Sequence, residues 1–77
     1  MTRVHVVVAY GQSKFAAMVQ ALARDIGGPS TKCQVASDHT NVVVEFAAEA
    51  QAEEFRQDIK AYLSTIAYVV DAHGNRT

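Results

Sequence analysis

Hydrophobic and polar residues alternate from Val4 to Tyr10, and this period of two marks a strand with one apolar side. Val4, Val6, Val8 and Tyr10 share one side, while Arg3, His5, Val7 and Ala9 share the other. The even-numbered set carries no charge, so it is predicted to face the core. From Phe15 the period lengthens. Phe15, Met18, Val19, Leu22 and Ile26 form one stripe of a helix predicted from Lys14 to Ile26. Gly11 and Gln12 break the strand before it, and Ser13 is placed to cap the helix. Gly27 and Gly28 end the helix by permitting a left-handed turn, and Pro29 keeps it from resuming.

Two short strands follow, near Thr31 to Ser37 and Val42 to Ala47. Between them, Asp38-His39-Thr40-Asn41 has the composition of a hairpin loop. Taking those four as the loop pairs Ser37 with Val42, Val35 with Val44 and Cys33 with Phe46 on the inner side. The outer pairs are then Ala36 with Val43, Gln34 with Glu45 and Lys32 with Ala47. A slip of one residue would invert both sides, and the matching polarity supports this register. A second helical pattern runs from Ala48 to Ser64. It turns Ala52, Phe55, Ile59, and Tyr62 or Leu63 inward, with Glu49, Glu53, Arg56 and Lys60 toward water. A last strand, Ile66 to Ala72, is expected to point Ile66, Tyr68 and Val70 inward and Ala67, Val69, Asp71 and His73 outward. Gly74 to Thr77 reads as a frayed tail.

Composition mainly excludes. The 77 residues are expected to form one domain, residues 1–77, with 73–77 as a short tail. With 49% hydrophobic and 19% charged residues the chain is globular rather than disordered. A formal net charge of −1 argues against nucleic acid, which normally demands clustered Lys and Arg. Cys33 is the single cysteine, which rules out an internal disulfide and a Cys-rich zinc site. No apolar run approaches the roughly 20 residues of a membrane span. No signal-peptide layout is visible, so a reduced, cytoplasmic setting and no membrane contact are expected.

The order strand, helix, strand, strand, helix, strand resembles a ferredoxin-like α+β sandwich, βαββαβ. The resemblance spans nearly the whole chain and is one of architecture, not of motif. It implies a four-stranded antiparallel sheet in spatial order 4-1-3-2 with both helices on one face. Mapped onto that sheet, His5 is expected between Glu45 and Asp71, and Arg3 near His73. Val7 is expected between Val43 and Val69, and Ala9 beside Ala67. Arg3, His5, Glu45, Asp71 and His73 then gather at one end of the uncovered face. A histidine flanked by carboxylates can serve as a general base, and with a second histidine can ligate a divalent metal. A set of cross-strand ion pairs that keeps an open face hydrated needs the same residues. No nucleophile, Gly-rich phosphate loop or fixed-spacing metal motif accompanies them. We therefore expect no catalytic residue, no metal and no cofactor. The rest of that face, Val7, Ala9, Ala36, Val43, Ala67 and Val69, is a patch of small apolar side chains suited to a partner protein or a second copy.

Other candidates are weaker. Tyr10-Gly11-Gln12-Ser13-Lys14 would offer free N–H groups and a lysine to an anion, but any capped turn uses such residues. His39 is expected in solvent and Cys33 in the packing. RNA-recognition modules resemble this architecture, yet they stack bases on aromatic side chains where this chain has His5, Val7, Val43 and Glu45. Heavy-metal chaperones of this shape carry Cys-x-x-Cys, and acylphosphatases an Arg, where this chain has Gly11-Gln12-Ser13-Lys14. Dimeric α+β barrel monooxygenases usually have longer chains with an enclosed pocket. The expectation is a non-catalytic interaction module, a small stand-alone inhibitor or accessory protein, similar in size and fold to some phage-encoded anti-CRISPR proteins. The alternatives are an ACT-like ligand sensor, or a small metal-assisted or acid–base enzyme using His5 and Glu45.

Overall fold

A computed structural model describes residues 2–29 and 31–77. The chain forms β1 (Thr2–Val8), α1 (Ser13–Gly27), β2 (Lys32–Val35), β3 (Asn41–Phe46), α2 (Glu49–Tyr62) and β4 (Ala67–Val70). The strands make one antiparallel sheet in the order β2-β3-β1-β4, the ferredoxin-like topology expected from the pattern. Both helices pack on the same face. Ala16, Val19 and Ala23 of α1 join Ala52, Phe55 and Ile59 of α2 over Val4, Val6, Val8, Val42, Val44 and Phe46.

The alternation of β1 holds through Val8, with Val4, Val6 and Val8 at 1% exposure or less. It stops there, and Tyr10, expected in the core, is 52% exposed. The ladder is exhausted at that point. Val8 N–H donates to the Thr40 carbonyl, Ala9 N–H to that of Ile66, and Gln12 N–H then closes a tight turn on Tyr10. The α1 stripe is also rotated from expectation. Ala16, Val19 and Ala23 are its deepest residues, Phe15, Leu22 and Ile26 are half-buried at its flank, and Met18 is 47% exposed. Two alanines let the helix axis approach a sheet already filled with valines, so the larger chains lie beside the contact. Ser13 is the first helical residue rather than the cap. Gln12 occupies the cap position, with no side-chain hydrogen bond there. The end of α1 does require its glycines. A Cβ on Gly27 would collide with the Thr31 hydroxyl and the Phe46 ring, and Gly28 caps the helix at φ 92°.

On α2 the buried positions are Ala52, Phe55 and Ile59, followed by Leu63, while Tyr62 is 74% exposed. Phe55 meets Phe46 with ring centroids 5.2 Å apart at a tilt of 53°.

Besides β1 and β3, which set His5 opposite Val43 rather than Glu45 and Val7 opposite Asn41 rather than Val43, two pairings differ from the sequence expectation. In the first, β2 and β3 match Lys32 with Glu45, Cys33 with Val44, Gln34 with Val43 and Val35 with Val42, a slip of two residues. The cause is the turn. His39 takes φ 62°, its N–H donates to the Ala36 carbonyl at 2.9 Å, and Ala36 N–H donates to the Asn41 carbonyl at 2.9 Å. The loop therefore takes Ala36 to Thr40 and returns Asn41 to the strand. A slip of two leaves each side chain on its expected face.

The second difference inverts β4. Its register sets His5 opposite Val70, Val6 opposite Val69, Val7 opposite Tyr68 and Val8 opposite Ala67. Ala67 and Val69, expected on the open face, are each 2% exposed and belong to the core. Tyr68 and Val70, expected inside, lie on the open face beside Val7 and His5. The strand Ala-Tyr-Val-Val is uncharged at both parities, so only the ladder to β1 decides which side is buried.

Nor is the tail frayed. Asp71 N–H donates to the Asn75 carbonyl, Val70 and Arg76 form an antiparallel bridge, and Thr77 N–H donates to the Val69 carbonyl at 2.9 Å. The Asp71 carboxylate accepts from the N–H groups of His73 at 2.9 Å and Asn75 at 3.0 Å, and Gly74 supplies φ 81°.

Candidate binding face on the open sheet

Odd-numbered residues of β1 and their cross-strand partners form the face that neither helix covers. One row across the sheet runs Lys32, Glu45, Arg3; the next runs Gln34, Val43, His5, Val70; a third runs Asn41, Val7, Tyr68. The first row is an ion-pair row. Arg3 Nε lies 2.8 Å from Glu45 Oε1, with the Arg3 side chain 75% exposed and that of Glu45 22%. Such a pair at the surface contributes at most about 1 kcal/mol.

The five-residue polar cluster expected at this end does not assemble. His5 stands opposite Val43 and Val70 rather than Glu45 and Asp71. Glu45 is engaged by Arg3, Asp71 holds its own turn, and His73 is exposed within that turn. The slip of two residues in β3 and the inversion of β4 account for the dispersal. Among the described residues no group of three or more His, Cys, Asp or Glu is placed to hold a metal ion.

His5 belongs instead to a hydrogen-bonded chain that the sequence did not reveal. Its Nε2 lies 2.8 Å from Asn41 Oδ1. Asn41 Nδ2 donates to Thr40 Oγ1 at 3.1 Å, and that hydroxyl donates to Asp38 Oδ1 at 2.7 Å. Thr40 N–H donates to the same carboxylate oxygen at 3.0 Å. The Thr40 hydroxyl and then its N–H hold the Asp38 carboxyl below the usual carboxylate range. An ionised carboxylate only accepts, so the Thr40 proton points to Asp38 and its oxygen accepts from Asn41. Asn41 then presents its carbonyl oxygen to His5, and His5 Nε2 is the donor. Loop and face are joined by one directional run. Asn and Thr next to a hairpin turn were the only sequence signal, and without the register they could not be paired with His5.

Of the six residues expected in the apolar patch, Val7 and Val43 are half-exposed on the open face. Ala67 and Val69 are in the core, Ala36 is in the hairpin loop, and Ala9 is exposed beyond the end of β1. Tyr68 and Val70 take the vacated positions. Arg76 lies over the Tyr68 ring, its guanidinium carbon 4.7 Å from the centroid. Val70 is only 7% exposed. A shallow concavity touches Arg3, His5, Val43 and Val70 and reaches Asp71 and Gly74 of the tail.

The other candidates supply structure. At the junction of β1 and α1, Tyr10 packs on Phe15 at 5.6 Å, and Lys14 Nζ lies 5.1 Å from the Phe15 centroid. His39 provides the left-handed residue of the hairpin and is half-buried rather than fully solvated. Burial pushes the Cys33 thiol up, with Arg24 partly offsetting it, so Cys33 is a poor nucleophile. No helix is long and apolar enough to cross a membrane, among the described residues. Comparisons with family models, with curated proteins and with solved structures find no match to this chain.

Proposed function

We propose that this protein acts without catalysis, by seating another protein on its open sheet face as an inhibitor or accessory factor. One observation carries the reading. Val7, Val43 and Tyr68 lie with His5 on a face that neither helix covers, and the tail borders it at Tyr68 and Val70. Neighbouring apolar groups on a sheet face are a more specific signal of an interface than scattered exposed residues. Lys32, Glu45 and Arg3 along one end of the patch supply the polar rim such interfaces have. The test is affinity capture with the native chain and a Val43→Glu variant, followed by titration of the captured protein in purified form. We expect the variant to keep its circular dichroism spectrum and to bind at least about tenfold more weakly, the effect of a charge in a desolvated contact. Equal binding by the two chains would remove the open face from consideration.

A further inference from the structure

The two edges of the sheet are protected in different ways. A bare edge strand displays unpaired N–H and C=O groups, and charge on the strand is a common guard against pairing with another chain. The β2 edge has that guard, since Lys32 is exposed and Gln34 follows on the same side of the strand. The β4 edge has none: Ala67, Tyr68, Val69 and Val70 carry no charge and no proline. Residues 71–77 cover this edge at Val69 and Val70, and Leu63 meets its start at Ala67. Ala67, Val69 and Asp71 are the residues whose backbone groups turn away from β1, because Ile66 starts the ladder by accepting from Ala9. Ala67 N–H donates to the Leu63 carbonyl at 2.9 Å, and Asp71 N–H to that of Asn75 at 2.9 Å. The Val69 carbonyl accepts from Thr77 N–H at 2.9 Å and from the Thr77 hydroxyl at 3.3 Å. Arg76 on the Tyr68 ring and the Asp71 carboxylate on two N–H groups hold the cover down.

We infer that residues 71–77 are a strap that keeps β4 from pairing edge to edge with β4 of a second copy of this chain. With the strap released, an antiparallel β4–β4 contact would join two four-stranded sheets into one of eight strands about a twofold axis, the commonest symmetry of homodimers. The occupant is a second copy because the exposed strand is short and uncharged, so no repulsion opposes its own pairing. The proposal is independent of any partner on the open face.

The test uses the 77-residue chain throughout. Asp71→Ala combined with Gly74→Val removes the two side-chain bonds of the turn and puts a branched residue at φ 81°. Sedimentation over a hundredfold range of concentration is expected to show a monomer for the native chain and a concentration-dependent dimer for the double variant. Adding Val43→Glu, on β3 and away from this edge, is expected to leave the dimer intact. A double variant that keeps its helical spectrum yet stays monomeric throughout would overturn the inference. So would a dimer that Val43→Glu dissolves, since that contact would lie on the open face. Arg76→Ala leaves the turn backbone alone and decides the matter should the double variant lose its fold. It is expected to dimerise at higher concentration than the double variant, and a monomer at every concentration would count against the strap.

Discussion

Val6 and Val7 are adjacent and chemically identical, yet Val6 is fully buried between Val42 and Val69 while Val7 stands half-exposed between Asn41 and Tyr68. The same contrast separates Val42 from Val43. The inner and open faces of this sheet are therefore built from overlapping residue types. What distinguishes them is cover: two helices rest on one, and part of a seven-residue tail borders the other. Apolar character sets what a face can do, and the neighbouring layer sets which task it performs.

The largest effect expected comes from placing one substitution on each face. Val6→Glu would bury a carboxylate with no partner, costing more than about 3 kcal/mol and enough to unfold a domain of this size. Val43→Glu should stay within about 0.5 kcal/mol of the native chain. Urea denaturation of both variants measures the gap, and equal midpoints would erase the distinction drawn between the faces. Next in size is Phe55→Ala on the inner side, which removes the ring packed on Phe46 and should cost about 3–5 kcal/mol by the same assay.

Smaller effects test the open side. Thr40→Ala removes the side-chain bond from the hairpin to Asp38 and should lower stability only slightly. It should also let the Asp38 carboxyl rise toward its ordinary range, which a carboxyl NMR titration would follow. The sign follows from linkage. The folded value lies below the unfolded one, so the native bond stabilises above the unfolded value and is lost as pH falls through the folded one. In Thr40→Ala that acid sensitivity should shrink. Smallest of all is Arg3→Ala, expected to change stability by less than about 1 kcal/mol and to do so less at high salt.

The same contrast explains what could be read from the sequence. In β1, Arg3 and His5 mark one side as the wet one, so the buried set Val4, Val6 and Val8 was legible. Glu45 and the alternation of β3 did the same, and the two-residue slip against β2 left both faces in place because the side-chain period is two. In β4 nothing charged stands on either side, and Tyr68 and Val69 exchange places if hydrophobicity is the only guide. The expected polar cluster failed for that reason, together with the two-residue shift of β3 against β1 that sets Val43 rather than Glu45 opposite His5. Arg76 over Tyr68 was invisible because it depends on the tail folding back, which in turn depends on a single carboxylate binding two backbone N–H groups.

The chain from Asp38 to His5 also sets the grammar of contact at the centre of the open face. With Nε2 committed as a donor to Asn41, a neutral imidazole keeps its lone pair at Nδ1. In that form the ring has one acceptor position left, at Nδ1. Val43 and Val70 flank His5 on the neighbouring strands. The orientation of a threonine hydroxyl at the rim thus fixes, two hydrogen bonds away, which nitrogen of the central imidazole donates.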